Sequence, residues 1–452
     1  MDVRAKLARL RSMEPPAALF EREPAPEPIL VTDTAKAERL AQLRALIGEV
    51  SARDARLKER VKTREAAQPE APLWPRMPTP LGELHVHERY LEPDHHHGSA
   101  PVRSGLCGDQ RTLATLLRDA LLPDVDLSRA LYLDTETTGL AGGTGTVAFL
   151  VGLARFEQGA LCTEQLIVPQ LGAEAPVLGR LAERIAAASC IVTYNGKSFD
   201  WPLLRTRFVL ARMPVPALPL HIDLLHMCRS VWKARLPSVR LVDMEREVLR
   251  FEREDDIPGA EIPARYFEYL RTGSPSKLVA VLEHNQNDLI AMAALLGALM
   301  AQFAQVEPLL DARDAISYGR VALRARDCER ARAFAQVAIA LNLAGDDRAR
   351  ALILAADVER HLGEMTQAVA LLERALAHSL HEPRRWQLHM TLTKLYEHEH
   401  GDLEGALRHA RQTEPIEGPM LHGRRLGRLH RRLMRRQDLT HATATPTRLD
   451  AP

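Results

Sequence analysis

At 452 residues the chain is too long for one comfortable core, and its 46% hydrophobic content is that of a globular protein, so two or three domains are expected. A net charge of +1 excludes binding to polyanions through overall charge, so any nucleic-acid footprint has to be local. The five cysteines, Cys107, Cys162, Cys190, Cys228 and Cys328, include no Cys-x-x-Cys pair, which excludes a disulfide framework and a zinc ribbon and fits a reducing cytoplasm.

Residues 1–75 combine heptad-like helical pieces such as "AERLAQLRALIGEV" with Pro-rich breaks and no strand signal, which predicts a flexible, partly helical arm. "RMPTPLGELHVHERYLEPDHHHG" then alternates around Leu84, Val86 and Tyr90, predicting a hairpin ahead of a main domain over 76–304. Its histidines, His85, His87, His95, His96 and His97, are of metal-binding type but lack a fourth-ligand spacing or a nearby cysteine; a solvated loop is the expectation.

Residues 130 to 170 give three strand-like runs with Gly-rich turns, an antiparallel meander. "AGGTGT" between the first two reads as a hairpin turn rather than a phosphate cradle, because no Lys-Ser/Thr and no helix follow. The first run ends in "LDTETTG", where Asp134 and Glu136 stand two apart and so project from one face of a strand. Two carboxylates that close repel unless a cation lies between them. Residues 174–188 read as a helix, "CIVTY" as a buried strand, and helices dominate onward to about 304. "TYNGKSFDWPLL" places Asp200 at a helix start, with Pro202 suited to the first turn. Asp223 in "HIDLLH" reads as a helix N-cap. "VLEHNQNDLIAMAALL" puts His284 and Asp288 four apart, on one helix face. The apolar run from Leu289 is short of a membrane span and reads as a core helix, so no membrane partner is expected.

After residue 310 the chain becomes Ala-rich and repeats itself. Ala331, Ala368 and Ala406 align 37 and 38 residues apart, and Ala338 and Ala375 fill a second column, with Thr413 where a third alanine would stand. Small residues at such places let helix pairs approach closely, and the period is similar to that of tetratricopeptide repeats, predicting an all-α repeat domain over 311–436 that could hold a protein partner. Residues 421–436 carry seven arginines and no acid, with Leu426, Leu429 and Leu433 at helical spacing. That pattern fits an amphipathic cap on the repeats or a phosphate-backbone contact. A disordered tail is expected over 437–452.

Strands followed by alternating helix and strand predict a mixed α/β layer sandwich over 76–304. Its acids Asp134, Glu136, Asp200 and Asp288 fall at element ends, and hard oxygen donors select Mg²⁺ or Mn²⁺. Lys197, Arg205 and Arg207 lie near Asp200 in sequence and could position a phosphodiester, with solvated surface charge as the plainer reading.

"DTETTG", "YNGKSFD" and "HNQND", in that order, resemble the three motifs of the DEDD superfamily of ribonuclease H-like 3′-5′ exonucleases. More closely, "TPLGELHVHERY", "LAGGTGTVAFLVG", "LPSVRLVDMEREVL" and "DDIPGAEIPARYFEYLRTG" are similar to the YprB-type ribonuclease H-like domain of bacteria over about residues 78–300. The resemblance implies a ribonuclease H-like mixed sheet flanked by helices. It also implies two-ion cleavage of phosphodiesters at the 3′ end of DNA or RNA, with Asp134, Glu136, Asp200 and Asp288 as metal ligands. His284 departs from it: the histidine subclass places its general base five residues before the last acid and the tyrosine subclass places a tyrosine four before, so a histidine here stands at the tyrosine spacing. It is assigned as general base, with orientation of the helix as the other possible role. A structure-selective endonuclease and an inactive nucleic-acid-binding adaptor are the alternatives.

Overall fold

The computed structural model describes residues 74–443 except 120, 140–144, 307–310 and 342, with side chains to residue 437. The expected arm, all but two residues of it, the tip of the "AGGTGT" loop and residues 444–452 therefore lie outside the described residues. The chain divides into two units, Met1–Pro69 and Glu70–Pro452, of which the second holds everything described.

β1 (Arg76–Thr79) and β2 (Gly82–Leu91) form the expected hairpin. It is part of the main domain's sheet, within the expected bounds 76–304, because β2 pairs antiparallel with a central-sheet strand from His85–Ile167 to Leu91–Leu161. The reason lies in its inward face: Leu84 and Val86 are each 1% exposed and need the sheet to cover them. A two-stranded ribbon, β3 (His96–His97) and β4 (Ala100–Pro101), leads to α1 (Gln110–Leu117), whose first turn is capped by Asp109 accepting from the Thr112 amide at 2.8 Å.

β5 (Ala130–Thr137), β6 (Ala148–Glu157) and β7 (Ala160–Ile167) make the predicted meander. α2 (Ala175–Ala187), β8 (Cys190–Thr193) and α3 (Asp200–Leu210) follow as the sequence suggests. β9 (Leu220–Asp223) is an additional strand, parallel to β8, within the stretch expected to be helical. Four residues are too few to show a period, and the pairing is nonlocal. α4 (Leu224–Trp232), α5 (Leu241–Met244), a π turn over Glu245–Leu249, α6 (Ile262–Thr272) and α7 (Val279–Ala304) complete the layer. The sheet order is β1-β2-β7-β6-β5-β8-β9, with β5 in the interior, antiparallel to β6 and parallel to β8. This is the expected ribonuclease H-like mixed sheet flanked by helices.

Alternation along β5 sends Tyr132 into the core cluster on one face and Leu131 and Leu133 into the cluster on the other. α7, with the turn before it, is long and apolar enough by composition to cross a membrane, contrary to the expectation that it falls short. It is nonetheless a core helix: 67% of its most apolar window is buried inside the protein.

The C-terminal region is helical: α8 (Ala312–Arg324), α9 (Cys328–Ala340), α10 (Gly345–Leu362), α11 (Met365–Leu376), α12 (Glu382–Leu395), α13 (Leu403–Ala410) and α14 (Glu414–Thr443), the last kinked at Gly418. It runs past the 436 boundary expected for the helices. All five alanines of the two columns are fully buried, and so is Thr413, whose hydroxyl is satisfied by donating to the Ala410 carbonyl at 2.8 Å. No break in packing separates this region from the sheet. One core cluster runs from Tyr132 through Phe303 to Val358, the Phe303 ring lies 6.1 Å from Tyr318 and 5.8 Å from Phe334, and Arg235 meets Asp314 at 2.9 Å.

The Arg-rich stretch lies in α14 after the kink. Arg425 pairs with Glu417 at 2.9 Å, Arg428 and Arg432 both pair with Glu397 at 2.6 and 2.7 Å, and Arg436 donates to the Gly401 carbonyl. Leu429 is buried against Leu403 and Leu407. Those four arginines are engaged within the fold, as a cap requires.

Candidate active site

The strand that carries the first two acids lies inside the sheet, and its pleat aims Asp134 and Glu136 toward α7 while Thr135 turns toward α3. Each neighbour answers. Asn285 on α7 donates from Nδ2 to Asp134 Oδ2 at 2.8 Å, His284 Nε2 lies 3.9 Å from Glu136 Oε1, and the Thr135 hydroxyl donates to Asp200 Oδ1 at 2.5 Å. Spacing along α7 puts His284 and Asp288 one turn apart, with Nε2 3.8 Å from Asp288 Oδ2.

Asp200 owes its place to the loop before α3. Asn195 adopts a left-handed φ of 69°, and Asp223 holds that loop by accepting from the Asn195 amide at 2.8 Å and the Lys197 amide at 3.2 Å. The same carboxylate caps α4 through the Leu225 amide at 3.1 Å. Asp223 is thus the helix cap the sequence suggested, and also the brace of the Asp200 loop. That second role depends on β9 lying beside β8, which the sequence did not reveal.

Burial drives the titration of Asp134, Glu136 and Asp200 upward. It raises the Asp134 carboxyl well above the usual range, reinforced by the charges of Asp288, Asp200 and Glu136 and eased by Asn285. It lifts Glu136 to about 8; His284 opposes the lift, and Asp288, Asp200 and Asp256 add to it. Asp200 rises to about 6 for the same reason, moderated by the hydroxyl and amide of Thr135. For His284, burial disfavours the cation, but the bond to Asp256 and the charges of Asp288 and Glu136 outweigh it and bring the ring to about 9. Such a set is short of positive charge.

One basic group enters from a segment that sequence reasoning missed. The Arg253 guanidinium is 2% exposed and meets Glu245 at 2.7 Å, Asp256 at 3.2 Å and Asp288 Oδ1 in a short contact. Asp256 also holds His284, Oδ1 to Nδ1 at 2.7 Å. The signal in the sequence is "FEREDDIPG", a charged run, but a charge run is most often a solvated face.

Among the described residues, Glu136, His284 and Asp288 are the group whose ligand atoms all come within 4.8 Å of one another. Asp134 and Asp200 flank this triplet through their mutual electrostatics rather than belonging to it. The oxygen-rich donor set and its unbalanced charge fit a divalent cation. The N-terminal histidines form no cluster of metal-ligand atoms among the described residues, and of the five expected in a solvated loop only His96 is exposed, with His95 half-buried. His85 is buried beside Trp74 Nε1 at 3.2 Å, His87 meets Gln165 at 3.1 Å, and His97 is stacked on Phe251 with Nε2 2.8 Å from Glu245. Arg207 binds Glu174 at 2.7 Å and is a tether for α3, whereas Lys197 and Arg205 are exposed.

A family model described as RNase_H superfamily matches residues 131–300. A protein of Bacillus subtilis (strain 168) named "Uncharacterized protein YprB" is 31% identical over 284 residues, 62% of this chain and 68% of YprB. A solved structure of the family B DNA polymerase from the hyperthermophilic archaeon Pyrobaculum calidifontis is similar at 13% identity and a TM-score of 0.32, covering 54% of this chain and 30% of the polymerase. With that identity over 68% of YprB, the chain belongs to the YprB family, and its residues 131–300 match the ribonuclease H superfamily.

Proposed function

We propose that the chain is a metal-dependent nuclease of the DEDD type that hydrolyses single-stranded nucleic acid from its 3′ end. The observation that carries this reading is the convergence of Glu136, His284 and Asp288 beside Asp134 and Asp200, all on the matched domain. Asp134, Glu136, Asp200 and Asp288 would hold two Mg²⁺ or Mn²⁺ ions. When bound, such ions supply Lewis acidity for phosphodiester cleavage and acidify water enough to attack. The chain's own part is orientation: Asn285 sets Asp134, Thr135 sets Asp200, and Arg253 sets Asp288. The helix pairs after residue 311, tetratricopeptide-like in period and in their buried alanine columns, would serve to recruit the target or a protein partner.

The test uses 5′-labelled single-stranded DNA and RNA with Mn²⁺ or Mg²⁺, comparing the wild type with Asp134→Asn. Stepwise shortening from the 3′ end, lost in the variant, supports the reading. Discrete internal fragments would show an endonuclease, and no cleavage of either polymer by the wild type would leave a binding adaptor.

A further inference from the structure

We infer that His284 Nε2 is itself a ligand of the ion held by Glu136 and Asp288, with Asp256 as the carboxylate that fixes the ring, and that the site therefore prefers Mn²⁺ to Mg²⁺. The inference rests on the metal-dependent reading above. It differs from it in the role of the histidine, which becomes a ligand instead of a general base.

The argument begins at the other ring nitrogen. Nδ1 lies 2.7 Å from Asp256 Oδ1, and an ionised carboxylate only accepts, so Nδ1 carries a proton and, in the neutral ring that a metal ion binds, it is Nε2 that presents the lone pair. That lone pair faces Glu136 Oε1 at 3.9 Å and Asp288 Oδ2 at 3.8 Å, both beyond hydrogen-bond reach. The gap between these three atoms suits a positive charge, and a metal ion supplies it once Nε2 has released its proton. Around one ion with bonds of about 2.1 Å, donor atoms lie about 3 to 4 Å apart, the separation seen here. Arg253 engages the opposite oxygen of Asp288, Oδ1, which leaves Oδ2 as the free donor on the ion's side. A ligating histidine whose second nitrogen donates to a carboxylate is the usual way a protein fixes ring orientation and raises ligand basicity. An imidazole in the set disfavours Mg²⁺, which takes oxygen in near-ideal octahedra, and is tolerated by Mn²⁺.

Mn²⁺ supplies its own spectroscopic readout. Purified full-length protein, at natural abundance and with ¹⁵N-histidine, is titrated with Mn²⁺ and examined by electron spin-echo envelope modulation. A histidine nitrogen coupling that changes from the ¹⁴N to the ¹⁵N pattern on labelling and disappears in His284→Gln is the expected result. Asp256→Asn should weaken Mn²⁺ binding by about 10–100-fold, as loss of a supporting carboxylate does. Where His284→Gln fails to fold, Glu136→Gln, which removes another ligand of the same ion, must diminish the same coupled signal. Bound Mn²⁺ without histidine coupling overturns the inference, and if that protein still degrades a labelled strand, the nuclease reading survives alone. Coupling without cleavage of any strand leaves the ligand assignment standing and removes the nuclease reading. A chain that binds no Mn²⁺ loses both.

Discussion

Asn285 donates to Asp134 across 2.8 Å because the residue facing Asp134 in β6 is Gly152. A Cβ built on Gly152 would lie 2.2 Å from Asn285 Oδ1 and 2.6 Å from its Nδ2, so the amide occupies the space a side chain would fill. Gln165 completes the arrangement, donating to Asn285 Oδ1 at 2.8 Å. A fully buried amide thereby orients the acid at the centre of the proposed site.

Gly152→Ala should therefore displace Asn285 and act on both stability and chemistry. Overpacking of this kind costs about 1–3 kcal/mol. The expected outcome is a lowered thermal midpoint together with a loss of metal-dependent hydrolysis larger than the fraction of unfolded protein accounts for. Normal activity in a folded variant would show that the Asn285 contact is dispensable.

The site makes stability depend on pH in one direction. Glu136 has a folded pKa of about 8, above its ordinary value, so between roughly pH 4.5 and 8 the folded chain holds more protons than the unfolded one, and stability falls as pH rises. His284, at about 9 against an ordinary 6.5, stabilises fully below pH 6.5, and that contribution is lost as pH rises through 9. The two windows overlap with the same sign. In chelator, the thermal midpoint should fall between about pH 6 and pH 9, and Mn²⁺ should flatten the decline. A midpoint that rises over this range would contradict the assignment.

Arg253→Met removes a buried guanidinium from between Glu245, Asp256 and Asp288. Leaving buried charges without their partner typically costs ~3–5 kcal/mol. A drop of that order in thermal or urea stability is expected, checked by circular dichroism, and lower pH should partly restore the variant because protonation removes the orphaned charge.

Ending the chain at residue 304 should fail to give a stable sheet domain. The core cluster that holds Tyr132 and Trp232 continues through Ala315, Tyr318 and Phe334 to Val358, and Arg235 loses Asp314. Ending at 363 keeps all of these. Cooperative thermal unfolding is expected for the longer truncation and not for the shorter. A cooperative, soluble 70–304 fragment would establish the sheet domain as autonomous.

Deleting 421–452 removes Leu429 from its cluster and leaves Glu397, 2% exposed, without Arg428 and Arg432. The thermal midpoint should fall, and the salt dependence of nucleic-acid binding should stay unchanged. Each phosphate contact removed would instead reduce the log-log slope by nearly one unit.

What the sequence by itself determined is what local spacing encodes. Asp134 and Glu136 on one strand face, Asp200 at a helix start, His284 above Asp288, and the buried alanine columns all follow from periods of 2 and 3.6 residues, and the structure holds them so. What only the tertiary structure decided comes from segments distant in sequence. β2 crosses to β7, β9 lies beside β8 and brings Asp223 to the Asp200 loop, and His97 and His85 are buried by partners far along the chain or across a strand turn. Arg253 and Asp256, some 30 residues before Asp288 and His284, become part of the site only because the chain after the π turn folds back on α7. A charged side chain in a sequence window carries no mark of its burial; that is set by which distant carboxylates the fold gathers around it, and for Arg253 there are three.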